Sequence, residues 1–505
     1  MAGKLAKTNQ KILRFRCAAA HYSTKSIKEI EKLEIISLLA LSIGVYFRIN
    51  PNHNRPFWVD ETFTGAIVNQ STLHDFFHQI WADVNAPLYY CILYAWSYMS
   101  DLSNTSLRLP SLAMSIAVLI IVFKATKTFD RTTCLLWGSL MCLWLPGIDQ
   151  ASEARCYSLL LLTSTMTTLS FANLIDSPNR RAASYWALYG SATILTHYFS
   201  LILIAFQSIV FLALHRKKAV ELSVALLIFI IPISWILYHL PRLLAFAALD
   251  VAWYSRLNID HIPVIISYTL NSFGFIAFLF VCAYFIIRKY EDAEILRFRN
   301  ATIVAATSAA ALLAFIIIGF ARPSFSLRYC VPFIPGVLLG ASLMGKFAAR
   351  AWPVTPVLAI ALFSIPTFLD TGAASSTATY SFEAASIEIR KAGVKRLVFL
   401  WDHPSSVIQD DSQMRSVGGF FLDRAGQQIQ VVNVSNAWRE DPQPRLLLAA
   451  QSDPDTAILW VYDRLLSQTA ALKYPPNIEE IDPSWRCRNY AKAPYAALVC
   501  LRPRV

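Results

Sequence analysis

Long apolar runs separated by short polar segments extend from residue 33 to residue 369. A helix that crosses a bilayer needs roughly 20 apolar residues, so runs of this kind predict membrane spans. The candidate spans are 33–49, 110–125, 131–148, 157–175, 184–197, 198–214, 219–240, 263–287, 300–320, 329–345 and 351–369. A further apolar stretch at 86–100 is short and rich in aromatic residues. We expect it to lie along the outer leaflet as an interfacial or re-entrant helix.

Basic residues concentrate in alternate loops between these runs. The loops 124–131, 176–183, 215–218, 288–299 and 346–350 are rich in Lys and Arg, whereas the loops that alternate with them contain Arg but no Lys. Because positively charged loops remain in the cytosol, this pattern predicts a cytosolic N-terminus and a C-terminus outside. If the short aromatic stretch crossed the membrane, every Lys-rich loop after it would face outward.

The pattern predicts a polytopic α-helical membrane protein of about 11 transmembrane helices, with a small soluble α/β domain at its C-terminus. Residues 1–32 are predicted to form a basic cytosolic arm. The transmembrane domain covers 33–370 and includes a large first extracytoplasmic loop at 50–109. The soluble domain covers 375–505 and is expected in the periplasm.

Strand and helix patterns alternate in that C-terminal segment, which indicates a partly parallel sheet. The predicted strands are 394–402, 427–435 and 456–463, and the predicted helices are 381–393 and 411–426. The segment contains no G-x-G-x-x-G sequence and no P-loop, so the sequence does not support a nucleotide site. Cys487 and Cys500 flank the turn of a predicted terminal hairpin, where either a disulfide or two free thiols would fit.

Composition supports the membrane assignment and narrows the function classes. The chain has 505 residues, of which 55% are hydrophobic and 15% charged, and its mean hydropathy is +0.44. The net charge of +12 comes from basic residues between the apolar runs, so we predict no nucleic-acid partner. The nine cysteines include no C-x-x-C pair, which argues against zinc ribbons and thioredoxin-like motifs.

The polar residues in the predicted outer loops and at the outer ends of the spans suggest a site. They include Asp60, Glu61, His74, His78, Asp83, Asn85, Arg108, Glu153, Arg155, Tyr157, His197, Arg322, Arg328 and Tyr329. Each one has an ordinary structural explanation, such as a loop edge, a helix cap or an interfacial anchor. Ionisable groups at membrane depth are nevertheless expensive and usually functional. A carboxylate can act as general base on an acceptor, while arginines hold a phosphate leaving group.

A metal site is a second hypothesis for some of these residues. His74 and His78 are spaced i, i+4, as helical metal ligands are, and Glu61 and Asp83 are available carboxylates. A solvated amphipathic helix is the more common explanation for two histidines at this spacing. The sequence predicts no certain cofactor and leaves a divalent cation open.

Five motifs in order carry a family resemblance. They are "FWVDETFT", "NAPLYYCILYAW", "SLRLPSLAMS", "SEARCYSLLLL" and "SLRYCVPFIPGVLL", between residues 33 and 345. Together they resemble the bacterial C-type membrane glycosyltransferases, a superfamily like glycosyltransferase family 39 that includes the protein O-mannosyltransferases and the lipid A aminoarabinose transferase. The resemblance does not reach the C-terminal segment.

The resemblance implies an inner-membrane enzyme that moves a sugar from a polyprenyl-phosphate donor to a glycolipid, polysaccharide or protein acceptor at the outer face. It implies Asp60 as the general base, with Glu61 orienting the acceptor or a metal, and inversion by single displacement. The donor phosphate would contact Arg155, Tyr157, Arg328 and Tyr329, with Arg108 and Arg322 nearby. The residues expected to line the site are Asp83, Asn85, Tyr89, Glu153 and His197.

Three other readings remain open. A polytopic transporter or flippase for lipid-linked sugars would have no chemistry, and would show polar groups within spans and repeated halves. An enzyme like the O-antigen ligases would place its functional loop late in the chain. A cell-envelope scaffold would use the C-terminal segment to recruit partners, but it leaves the Asp60 loop unexplained.

Overall fold

The computed structural model describes residues 31–51, 53–248, 256–289, 298–370, 381–403, 409–434, 441–450, 455–463, 478–491 and 495–503. Residues 31–49 form the first helix, α1. The helices that follow are α2 Val59–Val68, α3 Leu73–Ala82, α4 Leu88–Ser97, α5 Asn104–Phe123, α6 Arg131–Leu143, α7 Leu145–Gln150, α8 Tyr157–Asp176, α9 Arg180–Thr196, α10 Ser200–Glu221, α11 Ile230–Ala247, α12 Ile262–Leu270, α13 Phe273–Lys289, α14 Arg299–Ala321, α15 Ile334–Ala348 and α16 Thr355–Asp370. The predicted cytosolic arm lies outside the described residues except for its last two positions.

Six of the helical segments in this described part are long and apolar enough to cross a membrane, or seven if one bent pair is counted as a single span. They are Asn104–Lys127, Tyr157–Asp176, Ser200–Glu221, Ser223–Ala247, Arg299–Ala321 and Leu327–Ala348, and the bent pair is Ile259–Leu270 with Phe273–Ile287. The protein is therefore a multi-helix membrane protein, as predicted. The count of 11 exceeds the number that pass by length, because some predicted spans form helices of 17 residues or fewer and others are broken or bent.

Two of these breaks have clear local causes. The predicted span 131–148 ends as a helix at Leu143, and a new helix starts at Leu145 with Pro146 in its first turn. The predicted span 263–287 bends by 77° between α12 and α13. At that bend Asn271 adopts a positive φ of 60°, and its side-chain amide donates to the carbonyl oxygens of Leu143 and Phe363.

The short aromatic stretch forms α4, which has ten residues and is about 15 Å long. This length is half of what a bilayer requires, so α4 does not span. Its buried side chains Tyr89, Tyr90, Leu93 and Tyr94 pack into the protein. The expectation of a non-spanning helix at this position agrees with the structure.

The C-terminal segment folds as a five-stranded sheet with helices. The strands are β1 Arg396–Asp402, β2 Gln430–Asn433, β3 Thr456–Asp463, β4 Arg486–Ala491 and β5 Tyr495–Leu501, and the helices are α17 Ser381–Ala392, α18 Asp411–Asp423, α19 Gln443–Ala450 and α20 Ile478–Ile481. The spatial order is β2-β1-β3-β5-β4, with β1 parallel to both of its neighbours and β5 antiparallel to both of its own. Cys487 pairs with Cys500 across β4 and β5, and the two form a disulfide. The predicted domain boundary at 371–380 lies outside the described residues.

Candidate active site

Helix α2 carries the two acids of the first outer loop. It has ten residues, and nine of them are buried; Asp60 is the exception. Successive residues of an α-helix point about 100° apart, so the neighbouring Asp60 and Glu61 face different surroundings. Asp60 remains one-third exposed, whereas the Glu61 side chain is fully buried.

Glu61 is held in a closed ion pair. The Arg108 Nε and Nη2 atoms donate to its two carboxylate oxygens at 2.8 and 2.6 Å, and the Ala154 backbone N–H donates to Oε1 at 2.7 Å. Arg108 also donates to the backbone carbonyls of His53 and Pro56. Both side chains are fully buried, and such bidentate pairs are strong and specific. In the structure these two residues join α2, α5 and the loop before α2, and a role of Glu61 in orienting the acceptor or a metal, or of Arg108 near the donor, stays a prediction.

Asp60 faces two arginines across the site. Its Oδ2 atom lies 3.4 Å from Arg155 Nη2 and 3.9 Å from Arg328 Nη1. The Arg328 guanidinium lies over the rings of Trp58, at 4.5 Å, and Tyr157, at 5.6 Å. Burial lowers the pKa of Arg155, but the Asp60 carboxylate acts together with Tyr90, Tyr157 and Cys156 in the opposite direction, so that this pKa is raised above its ordinary value. The site therefore holds two cations beside one carboxylate.

Several buried polar atoms here have no hydrogen-bond partner within the described residues. They are Trp58 Nε1, Glu153 Oε2, Arg155 Nε and His197 Nδ1. Burial raises the pKa of the Glu153 carboxyl above its ordinary value, and the positive charge of Arg328 only partly offsets this. Unpaired buried polar groups cost free energy, and their concentration at one place is typical of a site that a polar ligand completes.

An apolar cavity of about 400 Å³ opens beside these residues. Its polar wall includes Asn85, His197, Arg322, Ser324 and Tyr329, and its apolar wall comes from α11 and α14, with Leu243, Phe246, Ala247 and Ile318. His197 connects the two spaces, because its ring lies 4.6 Å from Tyr329 and 6.2 Å from Tyr157. A charged centre therefore continues into a mostly apolar cavity.

The loop before α4 supports the site from the side. Asp83 accepts from Tyr90 Oη at 2.5 Å and from the Asn85 side-chain amide at 2.9 Å. Tyr89 is buried, and its hydroxyl lies 2.8 Å from Ser111 Oγ, which donates to the Arg155 backbone carbonyl. Asn85 lines the cavity, while Asp83 and Tyr89 brace it.

The four residues considered as metal ligands do not form one cluster in the structure. Among the residues that the structure describes, no group of three or more His, Cys, Asp or Glu side chains is placed to hold a metal ion. The Glu61 carboxylate accepts hydrogen bonds from Arg108, and the Asp83 carboxylate accepts one from Tyr90. His74 pairs with Asp75, and His78 lies 3.9 Å from Asp410 of the C-terminal domain.

Sequence reasoning missed two contributors. Trp58 stands in the quoted "FWVDETFT" motif, yet only the structure shows its indole stacked on Arg328. The C-terminal domain also reaches the site region, since Phe63 of α2 packs on Trp401 with ring centroids 4.8 Å apart. The sequence did offer one signal for Trp58, since it is an aromatic residue two positions before the candidate base Asp60.

Comparisons with known proteins bear on the fold. No family model matches the chain, and the search of curated proteins finds no relative. Two solved structures of ArnT from Cupriavidus metallidurans, one in the apo state and one bound to undecaprenyl phosphate, each match with a TM-score of 0.56. They are 12% and 14% identical to the chain, cover 95% and 94% of it, and are themselves covered over 100% and 99% of their length.

The Archaeoglobus fulgidus oligosaccharyltransferase, solved with Zn and sulfate, matches with a TM-score of 0.50 at 11% identity, covering 91% of this chain and 72% of that one. The chain therefore shares its fold with ArnT and with this oligosaccharyltransferase, in agreement with the resemblance that the motifs indicate. For ArnT that similarity extends over nearly the whole chain, including the C-terminal domain that the motifs did not reach.

Proposed function

We propose that this chain is a glycosyltransferase that moves a sugar from a polyprenyl-phosphate donor to an acceptor at the outer face of the bacterial cytoplasmic membrane. One observation carries the proposal: the Asp60 carboxylate faces Arg155 and Arg328 where a charged centre meets an apolar cavity. A polyprenyl-phosphate donor matches this arrangement, because its phosphate is charged and its long tail is apolar. The fold shared with ArnT, which has been solved with undecaprenyl phosphate, supports this donor class.

The two arginines would bind the donor phosphate. Guanidinium groups match phosphate oxygens in geometry and charge. A phosphate placed between Arg155 and Arg328 would draw both cations toward itself and away from Asp60. The polyprenyl chain would then leave through the cavity between α11 and α14, past His197 and Arg322.

Asp60 would act as general base in a single displacement. It accepts the proton of the acceptor while the acceptor oxygen attacks the anomeric carbon, and the bond from that carbon to the phosphate oxygen breaks. The leaving polyprenyl phosphate takes the electron pair, and Arg155 with Arg328 stabilises its charge. This route inverts the anomeric configuration.

The first test is donor binding. The full-length protein, in lipid nanodiscs with added undecaprenyl phosphate, is analysed by native mass spectrometry beside Arg328→Ala. We expect wild type to bind one polyprenyl phosphate and Arg328→Ala to bind at least about tenfold more weakly, because a charge-assisted contact to phosphate is lost. The matched control is Arg131→Ala, whose side chain is 67% exposed and pairs with Glu34 outside the site. Equal binding by all three proteins would contradict the proposal.

A further inference from the structure

The C-terminal domain reaches the residue that precedes the Asp60 helix. Glu383, near the start of α17, accepts from the backbone N–H of Phe57 at 3.4 Å and from the Asn104 side-chain amide at 3.0 Å through the same oxygen, Oε2. Its other oxygen, Oε1, accepts from Arg424 Nη2 at 2.9 Å. A carboxylate of the soluble domain therefore binds the entry to α2 and the start of α5 together.

Arg424, just after α18, completes this junction. Its Nη1 donates to the Asn104 side-chain oxygen at 2.6 Å and to the Leu102 carbonyl at 3.2 Å. The guanidinium also lies over the Phe57 ring, 5.9 Å from its centroid. The Arg424 and Glu383 side chains are only 20% and 17% exposed, so this ion pair is shielded from solvent and makes charge-assisted hydrogen bonds to fixed partners.

Aromatic packing extends the contact along one face of α2. Phe420 of α18 stacks on Phe57 with ring planes 3° apart. Its ring also lies over Gly65, so closely that a Cβ there would come within 2.4 Å of it. Gln70, just beyond α2, donates to Ser416 Oγ at 3.4 Å. The soluble domain therefore touches α2 from its entry to its end.

Helix α2 depends on such contacts. A helix of ten residues is marginal on its own, so its position is set by packing. The side away from α18 carries Asp60, which must stay between Arg155 and Arg328 to serve the reaction proposed above. A displacement of about 1 Å in a reacting group can lower a rate by about 10²-fold.

We propose that Arg424 and Glu383 are positioning residues, which hold the entry of α2 so that Asp60 keeps its place opposite the two arginines. The kinetic part of this inference rests on the proposed function, whereas the structural part does not. The C-terminal domain is then a support of the catalytic centre rather than an appended module.

The test compares Arg424→Gln and Glu383→Gln with Arg415→Gln in the full-length protein. Arg415 lies on the same helix and pairs with Asp411, but both side chains are more than half exposed, so it is a matched control. Hydrogen exchange is measured over residues 57–64 and over strands β1 and β3, and kcat and KM are measured with donor and acceptor. Arg424→Lys, which keeps a donor and a charge, serves as the conservative rescue.

We expect the two Gln variants to exchange faster at 57–64 while β1 and β3 keep their protection, and Arg415→Gln to match wild type. In both Gln variants kcat should fall by about tenfold or more with the donor KM within about twofold, and Arg424→Lys should recover part of the loss. Unchanged exchange at 57–64 would overturn the inference whatever the activity, as would equal loss of protection in β1 and β3, which indicates a purely structural role. Failure of the proposed function appears separately, as no effect of Asp60→Asn on activity.

Discussion

At the scale of single residues, adjacent carboxylates have separate tasks. Asp60 faces a partly open site with two arginines, while Glu61 is sealed against Arg108 and the Ala154 backbone N–H. One faces the partly open site and the other the protein interior because a single helical step rotates the side chain by about 100°. Two neighbouring carboxylates that look equivalent in the sequence therefore have different surroundings in the folded protein.

Asp60→Asn should lower transfer by about 10²- to 10⁴-fold, the usual contribution of a general base, while leaving the protein folded and able to bind donor lipid. The measurement is single-turnover transfer from a polyprenyl-phosphate sugar, together with donor binding by native mass spectrometry. Asp75→Asn is the control, since Asp75 lies half-exposed on α3. Activity of Asp60→Asn equal to that of Asp75→Asn would remove Asp60 from the role of base.

Sequence reasoning placed Asp60, Arg155 and Arg328 on one face from the order of apolar runs alone, and the structure brings these three together. It could not separate Glu61 from Asp60. The partner of Glu61 is Arg108, which lies 47 residues away and also binds the irregular loop at 53–56. The path of such a loop leaves no periodic signal in a sequence.

At the scale of elements, apolar length predicted where helices lie better than where they end. The breaks at Trp144 and Asn271 depend on partners from other helices. The Trp144 indole donates to the Tyr268 carbonyl, and Asn271 donates to carbonyls of two different helices. A hydropathy pattern averages over several residues and does not register single positions of this kind. It therefore predicts one long helix where hydrogen bonds to other helices accompany a break between two.

His403, the residue just after strand β1, makes the stability of the C-terminal domain sensitive to pH. His403 is 5% exposed and stacks on Trp401 with ring planes 5° apart, and burial lowers its pKa to about 3. The folded domain thus keeps His403 neutral, whereas the unfolded chain protonates it below its ordinary pKa of about 6.5. The stability this provides is complete above that value and is lost as the pH falls toward 3.

From pH 7 to pH 5 we expect the free energy of unfolding of the C-terminal domain to fall by about 2 kcal/mol from this group alone. The measurement is urea-dependent pulse proteolysis of that domain in the full-length protein at both pH values. His403→Gln, which cannot gain the proton, should flatten the dependence. A pH dependence as steep in His403→Gln as in wild type would assign the effect to other groups.

At the scale of the whole molecule, membrane orientation and the site hypothesis depend on each other. The Lys-rich loops predict which side is cytosolic, and the residues around Asp60 must then open to the opposite side. The Cys487–Cys500 disulfide suits a C-terminal domain outside the cytosol, where such bonds persist. Similarity to ArnT over 95% of the chain extends to the C-terminal domain, which the sequence motifs did not cover.

A reporter that works only outside the cytosol should be active when fused after residue 375, and inactive when fused after residue 217, within a Lys-rich loop. The measurement is reporter activity normalised to protein amount, with a cytosolic reporter at the same two positions as the control. The reverse result would invert the orientation and deprive Asp60 of an acceptor on the outer face.

The contact between Glu383 and the Phe57 backbone joins positions separated by 326 residues. During synthesis the ribosome must add all of them after it has incorporated Phe57, which takes roughly 15 to 65 s at about 5–20 residues per second. A nascent chain that already has most of its membrane helices therefore still lacks this support for the Asp60 helix. The contact is delayed until the soluble domain has been made and folded, and a chain truncated before residue 383 never forms it.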